Sequence, residues 1–370
     1  MKLLTSLTVA LMAGTVTLAC AQEVKLPRTM AMTTYDVGSA GYAQAVAIGK
    51  AISDSYGISL RVLPATSDVA RLLPVKQGRV DFALIGSEAF NAYEGTEAFV
   101  APELGPQDIE LLAGANSNNC FTLALQGNSD IKTAADLKGK RVGYVVSSPA
   151  LQANVAAFLA FGGLTWDDVK MVEVASFGAS WEAFLNGQVD AITTLSTTTY
   201  TTQAAASPTG LKWLELPKDD TEGWKRLQKI KPQFSPRDAT DGPNIDPKKP
   251  ISCAGFPYPV IVTYSDRDDD EVYNMTKAMS DQYKIYAEAE RGLVGFAPER
   301  QNFNWVVPYH DGAIRYWKEI GLWTDQDTVF NDKLRARQKL LQDAWNALPA
   351  DQRESKWVET REEVLSDAGY

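Results

Sequence analysis

Short apolar runs alternate with longer amphipathic segments along much of this chain, and that alternation limits its fold more than any other feature. Residues 59–63 and 80–85 fit strands on either side of a helical segment at 69–77, and the same order returns between residues 142 and 194. In each unit a glycine ends the helix just before the next strand. This repeated strand, helix, strand order predicts an α/β fold built from two units.

The composition of the chain argues against several classes of function. Its 370 residues suffice for two domains, and a net charge of −10 argues against nucleic-acid binding through a basic surface. One histidine and three cysteines are too few ligands for most zinc sites. The sequence also lacks a glycine-rich nucleotide loop, a nucleophile elbow and HExxH or CxxC motifs. These absences remove most of the support for a hydrolase or a nucleotide-dependent enzyme, so we expect neither enzymatic activity nor a cofactor.

The N-terminal residues predict export. A lysine near the start precedes an apolar stretch at 3–18, and the tripeptide at 19–21 fits the cleavage rule for a signal peptide. Residues 1–21 are therefore predicted to be removed after Ala21, which leaves a periplasmic mature protein. The alternative is a lipoprotein anchored through Cys20, but Thr17 stands where a lipobox usually has leucine.

Two cysteines remain in the predicted mature chain. Cys120 and Cys253 are 133 positions apart, and an even pair in an oxidising compartment is a disulfide candidate. Two separate buried thiols are the alternative.

Two later segments depart from the alternation. Residues 217–250 contain six prolines and many charges, which predicts an irregular surface excursion. Residues 332–347 carry an apolar stripe at helical spacing, which predicts an amphipathic helix packed on the body of the protein.

Two polar features have a catalytic or metal interpretation and a structural one. His310 is either the base of a serine triad or the cap of a helix that starts at Ala313, and the absence of a paired serine motif favours the cap. Asp266, Asp268 and Asp270 are spaced as in a calcium loop, but the glycine and distal glutamate of such a loop are missing. Acidic residues at a helix N-terminus are the better interpretation.

Loops rich in small hydroxyl residues follow the predicted strands. They stand at 33–39, 65–68, 86–88, 147–148 and 193–200. Open α/β sheets place ligands at the carboxyl ends of their strands, and amides at helix N-termini bind anions. Each loop alone is also explained as an ordinary turn or helix cap. Their recurrence in two matched units predicts a ligand site.

The order of these sequence segments resembles that in the TAXI solute receptors of tripartite ATP-independent periplasmic (TRAP) transporters. Residues 33–38 resemble the opening loop of that family, and Gly86-Ser87-Glu88 stands where the family has glutamine-serine-aspartate. Residues 130–142 are similar to its most recognisable phrase, which many periplasmic binding proteins share. Residues 310–316 resemble a later family phrase. The resemblance covers most of the predicted mature chain.

The resemblance implies a two-lobed periplasmic binding protein of type II-like α/β architecture. The largely helical residues after 265 predict a helical C-terminal extension of this architecture, which is unusual for the family. Residues 22–115 and 262–370 would form lobe 1, and residues 116–261 would form lobe 2. Crossings near 115–121 and 258–264 would serve as hinge strands. Such a receptor is monomeric, closes over a small organic anion such as a dicarboxylate, 2-oxo acid or acidic amino acid, and delivers it to TRAP membrane subunits.

The resemblance also places the ligand between the lobes. Arg71 stands where the family usually has asparagine, and its guanidinium could clamp a carboxylate, although a solvated helix residue is the alternative. The predicted ligand-binding residues are Tyr35, Gly38, Ser39, Ser67, Arg71, Ser87, Ser147, Ser148, Thr194, Thr197 and Tyr200.

Three other functions stay open at this point. The phrase at 130–142 equally fits the receptor of an ATP-driven (ABC) importer for sulfonates or thiamine-precursor-like ligands. A ligand sensor that feeds a membrane kinase would use the same fold. A secreted enzyme would depend on His310 as its base.

Overall fold

The structure, a computed structural model, describes residues 23–370, so the predicted signal peptide lies outside the described residues. The strands in chain order are β1 (Thr29–Thr34), β2 (Ser59–Pro64), β3 (Phe82–Ile85), β4 (Ile109–Gly114), β5 (Phe121–Gln126), β6 (Arg141–Val145), β7 (Lys170–Val174), β8 (Ala191–Leu195), β9 (Leu211–Trp213), β10 (Ser235–Ala239), β11 (Ile251–Gly255) and β12 (Val260–Tyr264). The helices are α1 (Ala40–Tyr56), α2 (Asp68–Lys76), α3 (Glu88–Glu94), α4 (Pro149–Phe161), α5 (Phe177–Leu185), α6 (Thr199–Ala205), α7 (Thr221–Ile230), α8 (Asp269–Asp281), α9 (Tyr283–Tyr286), α10 (Asp311–Glu319), α11 (Asp325–Ala347) and α12 (Arg353–Asp367).

The strands form two sheets. The first has the order β2-β1-β3-β12-β4, and the second has the order β10-β11-β5-β8-β6-β7 with β9 beside β5. The strands on either side of α1 and of α4 pair in parallel, β1 with β2 and β6 with β7. The chain passes to the second sheet between β4 and β5 and returns between β11 and β12. The predicted two-lobed α/β architecture is therefore confirmed, and the C-terminal part is helical as expected.

The excursion at 217–250 is more regular than the sequence predicts. It contains α7 and β10, so the prediction that it is irregular is wrong. Pro217 and Pro232 lie outside α7, and Pro236 lies in β10, which is the edge strand of its sheet. Edge strands tolerate proline because one side of the strand needs no ladder hydrogen bond.

The two crossings between the sheets lie close together. β12 begins at Val260 and belongs to the first sheet, so the chain returns to lobe 1 just before the predicted boundary at residue 262. Cys120 precedes β5, Cys253 lies in β11, and the structure joins them in the predicted disulfide with a Cα to Cα distance of 6.0 Å. The disulfide therefore closes the lobe 2 sheet beside the crossings.

The C-terminal helices dock on lobe 1 through a buried acid. Glu94, at the end of α3, is fully buried and pairs with Arg337 of α11 and Arg361 of α12. The Trp357 indole N–H donates to the Glu94 carbonyl oxygen at 3.0 Å. The predicted amphipathic helix at 332–347 is the C-terminal part of α11.

The acidic run near residue 268 is a helix start. The Asp268 carboxylate accepts hydrogen bonds from the N–H groups of Asp270 and Glu271, both at 3.0 Å, and α8 begins at the next residue. The helix-cap interpretation is thus confirmed. Across residues 23–370, we find no helix with the length and apolar character of a membrane span.

Candidate functional site

A cavity of about 50 Å³ lies between the two lobes. Loops after β1, β2 and β3 line it from lobe 1, and loops after β6 and β8 line it from lobe 2. Phe121 and Tyr258 line it from the two crossings. One water molecule needs roughly 10–15 Å³ of such space, so this cavity holds a few waters.

More than half of the predicted ligand residues line this cleft cavity. These residues are Tyr35, Ser39, Arg71, Ser87, Ser148 and Thr194. Ser39 also caps α1, because its hydroxyl accepts the N–H of Tyr42 at 3.1 Å. The same loop residues thus start helices and face the cavity.

The remaining predicted residues lie outside the cavity wall. They are Gly38, Ser67, Ser147, Thr197 and Tyr200. Ser67 caps α2, and the Thr197 hydroxyl accepts a hydrogen bond from the Asn119 amide at 3.2 Å. The Tyr200 hydroxyl lies 3.5 Å from the Val37 carbonyl oxygen and makes a contact between the lobes.

Several lining residues were not selected from the sequence. They include Asp36, Glu88, Phe121, Phe177 and Tyr258. Asp36 and Glu88 stand inside hydroxyl-rich loops that the sequence did single out, so their position was a usable signal. Phe121 and Tyr258 come from the crossings, and no local pattern distinguishes them from core aromatic residues.

The Arg71 guanidinium is already bound by the protein. Its Nε donates to Glu88 Oε1 at 2.9 Å, one Nη donates to Asp68 Oδ1 at 2.5 Å, and the other donates to the Ala65 carbonyl at 3.1 Å. It also lies 4.3 Å from the centre of the Tyr35 ring. Burial opposes the charge on Arg71, but Glu88 and Asp68 outweigh burial and raise its pKa.

Asp68 connects Arg71 to lobe 2. Its Oδ1 accepts the Ser148 hydroxyl at 2.8 Å, and its Oδ2 accepts the Ala150 N–H at 3.1 Å. The Ala150 amide belongs to the N-terminus of α4, where a helix favours an anion. The Asp68 carboxylate of lobe 1 therefore occupies the anion position at the N-terminus of α4 in lobe 2.

Negative charge exceeds positive charge around the cavity. Arg71 faces the buried carboxylates of Asp68 and Glu88, and Asp36 adds a third acid to the wall. Within residues 23–370, no cation lies at ion-pair distance from Asp36. Burial raises the pKa of Asp36, and Arg71 opposes this shift. The cleft thus presents an unpaired acid to a solute.

Two tyrosine hydroxyls remain protonated in the cleft. Burial raises the pKa of Tyr35, and the neighbouring Glu88 raises it further. The Tyr35 hydroxyl donates to Glu88 Oε2 at 2.8 Å. Burial raises the pKa of Tyr258 as well. Both rings therefore offer the cleft an apolar face while their hydroxyls stay neutral.

His310 lies in lobe 1, away from the cleft wall. It caps α10, which begins one residue later, because its Nδ1 accepts the N–H of Gly312 at 3.1 Å. Only 1% of its surface is exposed. The capping interpretation of His310 is therefore confirmed, with the helix starting two residues earlier than predicted.

We expect His310 to make the fold less stable in acid. Burial lowers its pKa, more strongly than Asp269 and Asp311 raise it. Its stabilising contribution is therefore complete above the unfolded-state pKa of about 6.5 and is lost as the pH falls through the lower folded-state pKa. The variant His310→Asn keeps a capping side chain that does not titrate. Urea unfolding between pH 5 and 8 should show the free energy of unfolding of the wild type falling relative to that of the variant as the pH drops below about 6.5, and a constant difference would contradict this.

Solved structures that resemble the chain are remote. The alkanesulfonate-binding protein SsuA from Xanthomonas axonopodis pv. citri, bound to MOPS, is 14% identical, with 86% of this chain and 95% of that chain covered and a TM-score of 0.46. SsuA from Escherichia coli is 13% identical, covering 92% and 88%, with a TM-score of 0.43. An ancestral arginine-binding protein bound to arginine is 17% identical, covering 72% and 97%, with a TM-score of 0.43.

The sequence profile of one family extends over both lobes. It matches residues 32–321, which include every strand from β2 to β12 and the whole cleft wall. The chain belongs to the NMT1-like family.

Proposed function

We propose that the protein is an extracytoplasmic solute receptor that closes its lobes over a small molecule and delivers it to the membrane subunits of a transporter. The observation that carries this proposal is the cleft cavity, whose wall is shared by both lobes and by the two crossings. Hinge closure of two domains around a ligand is a common binding device. The signal-like residues 1–21 support a place outside the cytoplasm.

The charges of the cleft favour a solute that carries a protonated nitrogen. Asp36 offers an unpaired carboxylate, and Glu88 lies deeper beside Tyr35. The rings of Phe121, Phe177 and Tyr258 would cover the carbon chain of the solute. A cation over such rings gains further stabilisation when it leaves water.

The small organic anion expected from the sequence is the competing ligand class. To bind, the anion would have to break the hydrogen bonds of Arg71 to Glu88 and Asp68, or displace the Asp68 carboxylate from the N-terminus of α4. Either exchange leaves a carboxylate buried without its partner, which is costly. The geometry thus supports a cation or zwitterion better than a dicarboxylate.

TRAP membrane subunits are the partners that we propose. The resemblance of residues 33–38 and 310–316 to TAXI receptors supports this choice over an ATP-driven importer. Uptake measured with the membrane subunits encoded beside the gene would separate the two. We expect uptake to stop when the ion gradient is collapsed and to continue when ATP is depleted under a clamped gradient. The reverse result would support the importer.

The ligand class can be tested with solutes of one chain length. Thermal shifts of the mature protein would compare putrescine, 4-aminobutyrate, succinate, butanesulfonate and 1,4-butanediol. A ligand at 100 times its dissociation constant should add about 2.7 kcal/mol of stability. We expect shifts with one or both of the amines and none with succinate or butanesulfonate.

The variant Asp36→Asn tests whether a thermal shift with an amine comes from binding in the cleft. It should weaken amine binding about tenfold, because a charge-assisted hydrogen bond becomes a neutral one. Asp219→Asn is the matched control, since Asp219 is exposed and lies in lobe 2. The contrary result is that the protein binds succinate or butanesulfonate but neither amine, and that this binding improves or persists in Asp36→Asn. It would overturn the proposal of a cationic ligand but would leave the proposed receptor function intact.

A further inference from the structure

A second cavity lies beside the crossings. Its volume is about 600 Å³, within the roughly 300–1,000 Å³ range of ligand pockets. The excursion of lobe 2 lines it on one side, and α11, α12 and the segment 302–306 line it on the other. Asn116 and Phe256 line it from the two crossings. It shares no lining residue with the cleft cavity.

The floor of this second cavity is a row of aromatic rings. Phe234 and Phe256 stack at 5.0 Å between centroids, with their planes 6° apart. Trp305 continues the row at 6.2 Å from Phe256, with an interplanar angle of 11°. The rings thus stack on one another, and the floor is a tightly packed apolar surface in which Phe234 and Phe256 are almost fully buried.

The wall of the second cavity is positively charged. Arg237, Arg337 and Arg361 line it, and none of the lining residues is an aspartate or glutamate. Arg337 and Arg361 are paired with the buried Glu94.

Arg237 has no such partner within residues 23–370. Its guanidinium donates only to the Ser117 carbonyl oxygen, at 3.2 Å. Burial lowers the pKa of Arg237, and no carboxylate offsets this shift. Any side chain on Gly255 would collide with the Arg237 side chain, so glycine there makes room for the cation.

Two buried polar groups in the wall also lack partners in the described part of the chain. Gln233 is 5% exposed, and both its amide oxygen and its amide nitrogen are without a hydrogen bond. Trp305 is 5% exposed, and its indole N–H is likewise unsatisfied. A buried donor without an acceptor loses its hydrogen bonds to water and gains none in the protein, so each such group calls for an explanation. Both residues line the cavity that contains Arg237.

We propose that the second cavity binds an amphipathic organic anion. The anionic group pairs with Arg237. The Gln233 amide and the Trp305 N–H, which the wall shields from solvent, turn toward the anion and donate hydrogen bonds to it, while the apolar part packs against the aromatic floor. A sulfonate, carboxylate or phosphate on an aromatic or alkyl body has this chemistry. This site takes the opposite charge from the one that we propose for the cleft.

The test uses 1-naphthalenesulfonate as the probe and the neutral 1-naphthalenemethanol as its partner, each titrated by calorimetry into the full mature protein. We expect the sulfonate to bind at least tenfold more tightly than the alcohol. The variant Arg237→Gln should lose about tenfold in sulfonate affinity, because a charged hydrogen bond is lost, and should leave the alcohol unchanged. Arg79→Gln is the matched control, since Arg79 is exposed.

Two further variants show whether the sulfonate binds in the second cavity or in the cleft. Trp305→Phe keeps the ring and removes only the unsatisfied N–H, so it should weaken the sulfonate about threefold and leave the melting temperature near that of the wild type. Asp36→Asn alters the cleft and should leave sulfonate binding unchanged. Equal affinity for sulfonate and alcohol, or full affinity in Arg237→Gln, would overturn the second site. A sulfonate affinity that responds to Asp36→Asn would place the probe in the cleft instead.

Discussion

The variant Arg71→Ala is expected to unfold about 3–5 kcal/mol more easily than the wild type, because it leaves two buried carboxylates without their cation. The side chains of Arg71, Asp68 and Glu88 are each no more than 3% exposed, so water cannot replace the guanidinium. Tyr35 also loses the cation over its ring. Urea unfolding followed by circular dichroism at pH 7 measures this loss as a lower midpoint at an unchanged slope.

Charge-matched variants distinguish this stabilising role of Arg71 from the ligand-binding role that the sequence suggested, in which Arg71 clamps a carboxylate of the ligand. Adding Asp68→Asn and Glu88→Gln to Arg71→Met removes every charge of the cluster, and we expect this triple variant to regain much of the lost stability. The exposed Arg79→Ala should change the free energy of unfolding by less than about 0.5 kcal/mol. If Arg71→Ala keeps wild-type stability and loses only ligand affinity, Arg71 is a free clamp for an anion.

The local elements could be predicted because their residues signal them at short range. The run at 59–63 is β2, the helical segment at 69–77 overlaps α2, and the run at 142–146 overlaps β6. Apolar runs at strand length and glycines at helix ends are properties of neighbouring residues. Ser39 and Ser67 cap helices for the same local reason.

The partners of these residues could not be predicted, because they come from distant parts of the chain. Asp68 meets Ser148 across 80 positions, and this contact fills the helix N-terminus that the sequence assigned to a ligand. Phe121 and Tyr258 meet at 5.0 Å only because the two crossings lie side by side. The hydroxyl-rich loops therefore indicated where the cleft lies, while the charge of the cleft depends on long-range pairing.

The excursion at 217–250 also shows that long-range pairing cannot be predicted from a local pattern. Its prolines and charges predict irregular backbone, yet β10 pairs with β11 along five residues. That pairing positions Arg237 beside Gly255, and so creates the charged wall of the second cavity. A local pattern cannot reveal this, because the partner strand supplies the reason for the regular structure.

Reduction of the bond between Cys120 and Cys253 is expected to lower the stability of lobe 2 by about 4–5 kcal/mol, the chain-entropy value for a loop of this length. The two cysteines are 133 positions apart and enclose nearly all of lobe 2. The ladder that they support is weak, because β11 and β5 share a single pair of residues, Ala254 and Phe121. The disulfide thus closes the sheet where the backbone pairing is shortest.

Hydrogen exchange with and without dithiothreitol tests this lobe by lobe. We expect amides of β5, β8 and β11 to exchange faster after reduction, while those of β1 and β3 in lobe 1 change little, because the closed loop excludes them. The double variant Cys120→Ser/Cys253→Ser should match the reduced protein and show no further response to dithiothreitol. Two free thiols in the denatured, unreduced protein would show that the bond is absent. Equal loss of protection in both lobes would show instead that the protein unfolds as one unit, with the disulfide stabilising the whole chain.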